Sequence, residues 1–321
     1  MPPRPFRLYW YVIASVAIGL TLLAGSAAHA EFKFAGRPWL GKHSVYSTHG
    51  IVSTMHPLAS QAGIQTLMAG GNAVDAAVAV NAVLGLVEPH MNGVGGDLFA
   101  IVWHAESEQL YGLNATGRAP YEISRESLVR QGLERMPGTG PVTWTVPGAV
   151  DTWVQLWKRF GSVPFDQLFA SAIGYARDGY PVSPVLAQDW ERTVGQFVQY
   201  DGFRDAFTVS GRAPGVGEHF QCPAMADSLE EICASQGESF YRGDLAQKIA
   251  ADCARHNGVM SLDDLAGHEG FWTNRITLDY AGLTVHEIPP SGQGIVTLIA
   301  LGILRHLEIE RHEPLSADGV H

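Results

Sequence analysis

The candidate chemistry of this chain centres on one arginine and one glycine-rich turn. Arg118 follows a predicted strand and lies among small residues, where its planar guanidinium could bind a carboxylate through two parallel hydrogen bonds. The turn at 92–97 has three glycines in four residues, which permits positive φ and lets backbone N–H groups face a ligand. Both features also have plain structural interpretations: a solvated surface arginine, and a tight connection between a helix and a strand.

The sequence contains no complete catalytic motif. It has no G-x-S-x-G nucleophile elbow, no Walker A phosphate loop and no H-E-x-x-H zinc motif. His268 and His286 are each followed by a glutamate, but neither has a second histidine at the required spacing. The glycines at 93–96 come after a helix and before a strand, the reverse of a dinucleotide-binding turn, and Leu98 occupies the third glycine position. We therefore expect no metal and no cofactor.

A buried helix and a pair of strands must position these residues. Asn72 is a good helix N-cap, and Asp75 lies in the first turn of a helix predicted at 73–86, where the helix dipole favours an anion. That helix is apolar on nearly every face, which predicts burial, and it is too short to span a membrane. Strands are predicted at 98–103 and 109–114, joined by a polar turn.

The remaining pattern predicts a layered α/β protein. Apolar periodicity and capping residues indicate further helices, and Ala281-Gly282 indicates a late hairpin. Buried helices stacked on antiparallel strands favour layered packing over a wheel of βαβ units. The predicted segments are strands at 46–52 and 142–148, helices at 57–68, 149–159, 165–179, 186–198, 225–236, 245–255 and 295–304, a short helix capped by Ser261, a hairpin at 276–280 and 283–288, and a surface excursion at 200–217.

Composition and the first thirty residues indicate which partners are excluded and where the protein is located. The chain has 321 residues, 46% of them hydrophobic, and a formal net charge of -11, which argues against nucleic acid or an anionic membrane surface as a partner. Residues 1–30 read as a signal peptide: Arg4 and Arg7 precede an apolar run at 8–24, and a small-x-small cleavage pattern ends at Ala30. An uncleaved membrane anchor is the alternative. We expect export to the periplasm or the exterior, with cleavage after Ala30.

Cysteine usage leaves the disulfide state open. Export makes disulfides possible, but the chain has three cysteines, Cys222, Cys233 and Cys253, so at least one is free or intermolecular. Cys253 fits a helical core position, and a bridge between Cys222 and Cys233 remains possible. The last residues, 315–321, have the pattern of a cap and the start of a further helix, and we interpret the chain as a fragment on that basis.

Several blocks of this sequence, in order, resemble the gamma-glutamyltranspeptidase family. Any one of them would be modest evidence, but together they extend over about residues 45 to 321. The blocks are HPLAS at 56–60, the helix, glycine turn and strand pair at 70–120, VPGAV at 146–150 with the segment 161–179, FYRG at 240–243 with LDDL at 262–265, and PPSGQG at 289–294.

The resemblance implies an N-terminal nucleophile (Ntn) hydrolase fold, with two β-sheets sandwiched between helical layers. Family members are made as one precursor that cleaves itself ahead of a threonine, whose new α-amine then serves as base for its own hydroxyl. The enzyme forms a γ-glutamyl ester, usually from glutathione, and passes the acyl group to water, an amino acid or a peptide.

The resemblance also divides the protein into two parts. Residues 31–321 correspond to an unfinished large-subunit portion, so the nucleophilic threonine is expected beyond His321, and this chain should contain no catalytic residue. We expect the chain alone to be inactive and its partner to be its own C-terminal small subunit.

Two departures from the family pattern concern the substrate site. Many members have an arginine where Thr116 stands here, and that arginine binds the substrate α-carboxylate. Arg118 is two residues further on, and because a strand alternates its faces, a shift of two would keep it on the same face. Asp97 replaces a glycine of many members. The predicted substrate-binding residues are therefore Arg118, Thr116 and Asp97.

The shifted arginine resembles a divergent branch that includes cephalosporin-acylase-like enzymes. Three hypotheses follow: a gamma-glutamyltransferase or glutathione hydrolase precursor, a related self-processing acylase or amidohydrolase, and a non-catalytic protein that has lost its second half.

Overall fold

A computed structural model describes residues 45–307, 311–313 and 315–320. The short unit at 45–51 is irregular, and the strand predicted at 46–52 is wrong: no described strand pairs with this segment, and an extended segment without a partner forms no ladder. The predicted signal peptide at 1–30 lies outside the described residues. No helix within the described ranges is long and apolar enough to cross a membrane.

The second unit begins at Val52 and contains the helices and strands. The helices are α1 (Pro57–Met68), α2 (Ala73–Val87), α3 (Arg125–Arg130), α4 (Ala149–Phe160), α5 (Ala170–Asp178), α6 (Pro184–Phe197), α7 (Asp201–Phe207), α8 (Pro223–Ser235), α9 (Glu238–Arg242), α10 (Asp244–Arg255), α11 (Leu262–Ala266), α12 (Gly294–Leu307) and α13 (Ala317–Val320). The strands are β1 (Leu98–His104), β2 (Gln109–Ala115), β3 (Tyr180–Pro181), β4 (His219–Phe220), β5 (Phe271–Thr273), β6 (Ile276–Tyr280) and β7 (Leu283–Glu287).

Helix α2 lies in the middle of the core. Asn72 caps it by accepting from the backbone N–H groups of Val74 and Asp75, and Asp75 Oδ2 accepts in turn from Asn72 N at 2.9 Å. The Asp75 carboxylate is fully buried and also accepts from Ser162 N and Ser162 Oγ. Because this carboxylate joins the start of α2 to the turn after α4, it fixes the packing of two helices that support the sheet.

The main sheet has the order β1-β2-β5 and is antiparallel throughout. Leu98 pairs with Ala115, and Leu113 pairs with Trp272. One face packs against the helical core. The other face carries Phe99, Ile101 and Trp103, which are 38%, 43% and 60% exposed. The sheet therefore presents an apolar face that the described residues leave partly exposed.

Two predicted segments differ from the structure. Residues 142–148 form no strand: a 3₁₀ turn at Pro141–Thr143 is followed by extended chain that bonds to loops instead of a strand. The surface excursion at 200–217 contains the helix α7, which the glycine content of that stretch concealed. The late hairpin is confirmed as β6 and β7, with Ala281 and Gly282 at positive φ.

The three cysteines are free. Cys222 caps α8 and Cys233 lies near the other end of that helix, so a rise of about 1.5 Å per residue separates them by about 16 Å. A disulfide needs Cα atoms within about 7 Å, so the bridge left open by the sequence is not formed.

Candidate functional site

Asp97 connects the glycine turn to the loop that follows β2. Its Oδ1 accepts from Gly117 N at 2.6 Å, and its Oδ2 accepts from Thr116 Oγ1 at 3.2 Å. Asn114 Oδ1 accepts from Thr116 N at 3.0 Å, which turns the chain at the end of β2. The structure thus brings Asp97 and Thr116 together, and their polar groups hold the loop in place.

A third segment, just before α4, completes this corner. Val146 N donates to Arg118 O, and both Gly148 N and Ala149 N donate to Gly96 O, each at 2.9 Å. A Cβ on Gly148 would overlap the carbonyl oxygen of Ala115, so only glycine fits where the start of α4 meets the end of β2. The close approach fixes the loop that carries Arg118.

Arg118 is exposed and lines an open cavity of about 540 Å³. Among the described residues, its guanidinium has no ion-pair or hydrogen-bond partner, so it is available to an anion. Because β2 ends at Ala115, neither Thr116 nor Arg118 lies in a strand, and the argument from strand alternation does not apply to them. The other residues of the cavity wall are Gln155, Gly267, Glu269, Gly270, Phe271 and Trp272.

A hydrogen-bonded network from α4 supports the wall of this cavity. Asp151 Oδ2 accepts from Gly270 N and from Gln155 Nε2, both at 2.7 Å, and Gln155 Nε2 also donates to Gly270 O at 2.8 Å. Tyr241 Oη accepts from Asp151 N and donates to Pro147 O at 2.8 Å. The cavity therefore has a polar wall held in place by hydrogen bonds.

His268 lies beside Arg118 and was missed by the sequence analysis. Its ring is buried and stacks on Tyr241, with the ring centroids 5.4 Å apart and the planes 15° from parallel. Burial lowers the pKa of His268, and so does the Arg118 charge, while Asp151 and Asp97 act in the opposite direction. We considered this histidine only as part of a zinc motif, and a lone histidine carries no other sequence signal.

The described residues contain one group with the spacing of metal ligands. Asp201, Asp252 and His256 bring ligand atoms within 4.8 Å of one another. The Arg255 guanidinium pairs with both carboxylates. Its positive charge already fills the role that a cation would have there, and the group lies outside the corner formed by Asp97, Thr116 and Arg118.

Comparisons with known proteins fit this fold. A family model described as gamma-glutamyltranspeptidase matches residues 59–321. The glutathione hydrolase-like YwrD proenzyme of Bacillus subtilis is 37% identical over 279 residues, which are 87% of this chain and 53% of that protein. The chain thus spans about half the length of this relative.

Two solved structures have the same fold. A cephalosporin acylase from Bacillus halodurans is 41% identical with a TM-score of 0.76, covering 83% of this chain and 52% of that one. The gamma-glutamyltranspeptidase of Helicobacter pylori is 26% identical with a TM-score of 0.81, covering 87% and 81%.

These findings confirm the Ntn-hydrolase fold, an α/β fold of which this chain forms one part. Within that class, the chain belongs to the gamma-glutamyltranspeptidase family.

Proposed function

We propose that this chain is the N-terminal part of a self-processing gamma-glutamyltransferase or glutathione hydrolase. The nucleophile is a threonine beyond His321, freed by cleavage of the precursor and activated by its own α-amine. It takes a γ-glutamyl group from glutathione or a related amide and passes it to water, an amino acid or a peptide. No metal or cofactor takes part in this proposal.

The free guanidinium of Arg118 is the observation that carries the proposal. A γ-glutamyl group has an α-carboxylate, and an arginine without an internal partner at the edge of a cavity of about 540 Å³ can bind it through two parallel hydrogen bonds. In this proposal Asp97 and Thr116 support the site indirectly, because their polar groups hold the loop that presents Arg118.

The exposed apolar residues of the main sheet support the proposal of a second half. Phe99, Ile101 and Trp103 alternate along β1, and Phe271 on β5 is on the same face and 50% exposed. Several large apolar side chains exposed on one face of a sheet are typical of an interaction site. In our proposal the C-terminal small subunit covers it and completes the two-sheet sandwich.

The test uses the full-length protein. We expect Arg118→Met to raise KM for glutathione at least roughly 30-fold, since losing one partner of a bonded charge pair costs about 2 kcal/mol or more. Arg130→Met is the matched control, because Arg130 is an exposed arginine on α3 with no ion pair to a described residue, and its KM should stay unchanged. An unprocessed product after changing the threonine at the cleavage point to alanine would support the nucleophile. Equal KM values for Arg118→Met and the wild type would contradict the site.

A second candidate is a related acylase or amidohydrolase. It is favoured by the 41% identity to a protein whose structure is titled cephalosporin acylase. Release of product from glutathione and from a glutaryl amide separates the two, because glutaryl lacks the α-amino group. A preference for glutathione supports the first candidate, and a preference for the glutaryl amide supports the second.

We also propose export of this protein, from the targeting pattern at 1–30. Sequencing the N-terminus of the protein from the exported fraction should give Glu31 as the first residue. Retention of the protein inside the cell with residues 1–30 intact would refute export.

A further inference from the structure

His268 is a buried ionisable side chain to which the proposed function gives no role. It is 6% exposed, and neither Nδ1 nor Nε2 has a hydrogen-bond partner among the residues that the structure describes. A neutral imidazole has one N–H donor and one acceptor nitrogen, and buried polar atoms are nearly always hydrogen-bonded. The ring therefore has one hydrogen-bond donor and one acceptor that no described residue satisfies.

A small cavity adjoins this ring. Its volume is about 10 Å³, which is about the space that one water molecule needs. A buried water also needs two to four polar partners, and this wall includes residues with hydrogen-bond donors and residues with acceptors. The residues of the wall are Arg118, Ala119, Tyr121, Val146, Asp264, Gly267 and His268.

Two of the wall residues also belong to the open cavity. Arg118 and Gly267 line both spaces, so Arg118 adjoins both the cavity beside the histidine and the cavity where the proposed function places a carboxylate. An arginine side chain has about 2 kcal/mol of rotamer entropy. A hydrogen bond that already holds the Arg118 side chain would reduce the conformational entropy that it loses when a carboxylate binds.

We propose that His268 is a positioning residue for Arg118, acting through one water molecule in this cavity. The water donates to the unprotonated ring nitrogen and accepts from a guanidinium N–H, which leaves the remaining N–H groups of Arg118 directed at the carboxylate of the acyl donor. The stack on Tyr241 holds the ring, and Tyr241 is itself fixed by Pro147 O and Asp151 N. This inference rests on the proposed function of Arg118.

A double-mutant cycle on the full-length protein tests the proposal. His268→Phe keeps an aromatic ring to stack on Tyr241 but has no hydrogen-bonding atom. We expect it to raise KM for the carboxylate-bearing donor roughly tenfold, the effect of losing a hydrogen bond to a charged group, with kcat within about twofold. In the Arg118→Met background the same change should alter KM less than about twofold. In the protein that keeps Arg118, His268→Gln, which has hydrogen-bonding atoms, should have a KM close to that of the wild type.

The outcomes separate the two proposals. If Arg118→Met alone leaves KM unchanged, the proposed function of Arg118 is wrong, and the positioning role falls with it. If Arg118→Met raises KM but His268→Phe has the same effect in both backgrounds, only the positioning role is wrong.

A spectroscopic measurement covers the case in which His268→Phe does not fold. The ring nitrogen resonances of His268 in the wild-type protein should shift when glutarate is added, and should not shift in Arg118→Met. Resonances of His268 that are unchanged by glutarate would overturn the proposal.

Discussion

Replacing Gly148 with alanine tests how tightly the start of α4 is packed against the end of β2. Gly148 has φ -107° and ψ -15°, which any residue can adopt, so the effect of alanine is steric. The added methyl group would overlap the backbone oxygen of Ala115, which cannot rotate away as a side chain would.

The structure gives the size of the effect. Relief of the overlap requires a backbone shift at the point where Gly148 N and Ala149 N donate to Gly96 O at 2.9 Å. Two weakened backbone hydrogen bonds and an overpacked buried position together predict a loss of about 4 kcal/mol in the free energy of unfolding. Because the same shift moves the loop that carries Arg118, KM for the acyl donor should rise as well.

The assay is urea unfolding of the full-length protein beside its steady-state kinetics. Gly195→Ala is the matched control: Gly195 is exposed in α6, and a Cβ there meets nothing within 4 Å, so alanine should stabilise the protein by about 1 kcal/mol. A Gly148→Ala protein that unfolds within about 0.5 kcal/mol of the wild type, with unchanged KM, would refute the packing argument.

Two further predictions concern buried polar groups. Asp75→Ala removes a buried carboxylate that accepts hydrogen bonds from Asn72 N, Ser162 N and Ser162 Oγ, and we expect it to lower the free energy of unfolding by about 4 kcal/mol. A loss under about 1 kcal/mol in urea unfolding would show that the contact contributes little. Burial lowers the pKa of His56 and His268 below the ordinary value of 6.5. Below pH 6.5 the unfolded chain therefore binds protons that the folded chain does not, and stability should fall by at most about 1.4 kcal/mol per pH unit for each histidine. The double variant His56→Asn with His268→Asn should have a flatter stability profile between pH 6.5 and 5, and an unchanged slope would contradict the assignment.

Helix boundaries could be predicted because their signals are local. Pro57 and Asn72 set the starts of α1 and α2, and the sequence analysis places both helices within a residue or so of where they are. By contrast, β5 was missed because it is only three residues long and exists through its pairing with β2. Residues 142–148 have strand-like composition but pair with no strand in the part of the chain that the structure describes, and composition alone does not reveal whether a partner exists.

The site was predicted only in part for the same reason. Arg118, Thr116 and Asp97 could be named from the glycine turn and the family resemblance, but their separate roles depend on where β2 ends, which is a property of pairing. His268 could not be found, because its significance depends on Tyr241 and Arg118, which are distant in sequence.

The open side of β1 has a consequence for the stability of the protein against aggregation. Within the described residues β1 is an edge strand, and its sequence, LFAIVWH, has no lysine or proline of the kind that blunts such edges. An uncovered apolar edge of this length can pair with the same strand of another copy. The segment that covers β1 would therefore protect the protein from self-association, and a defect in that cover would reduce the amount of soluble protein before it reduced the activity of each molecule.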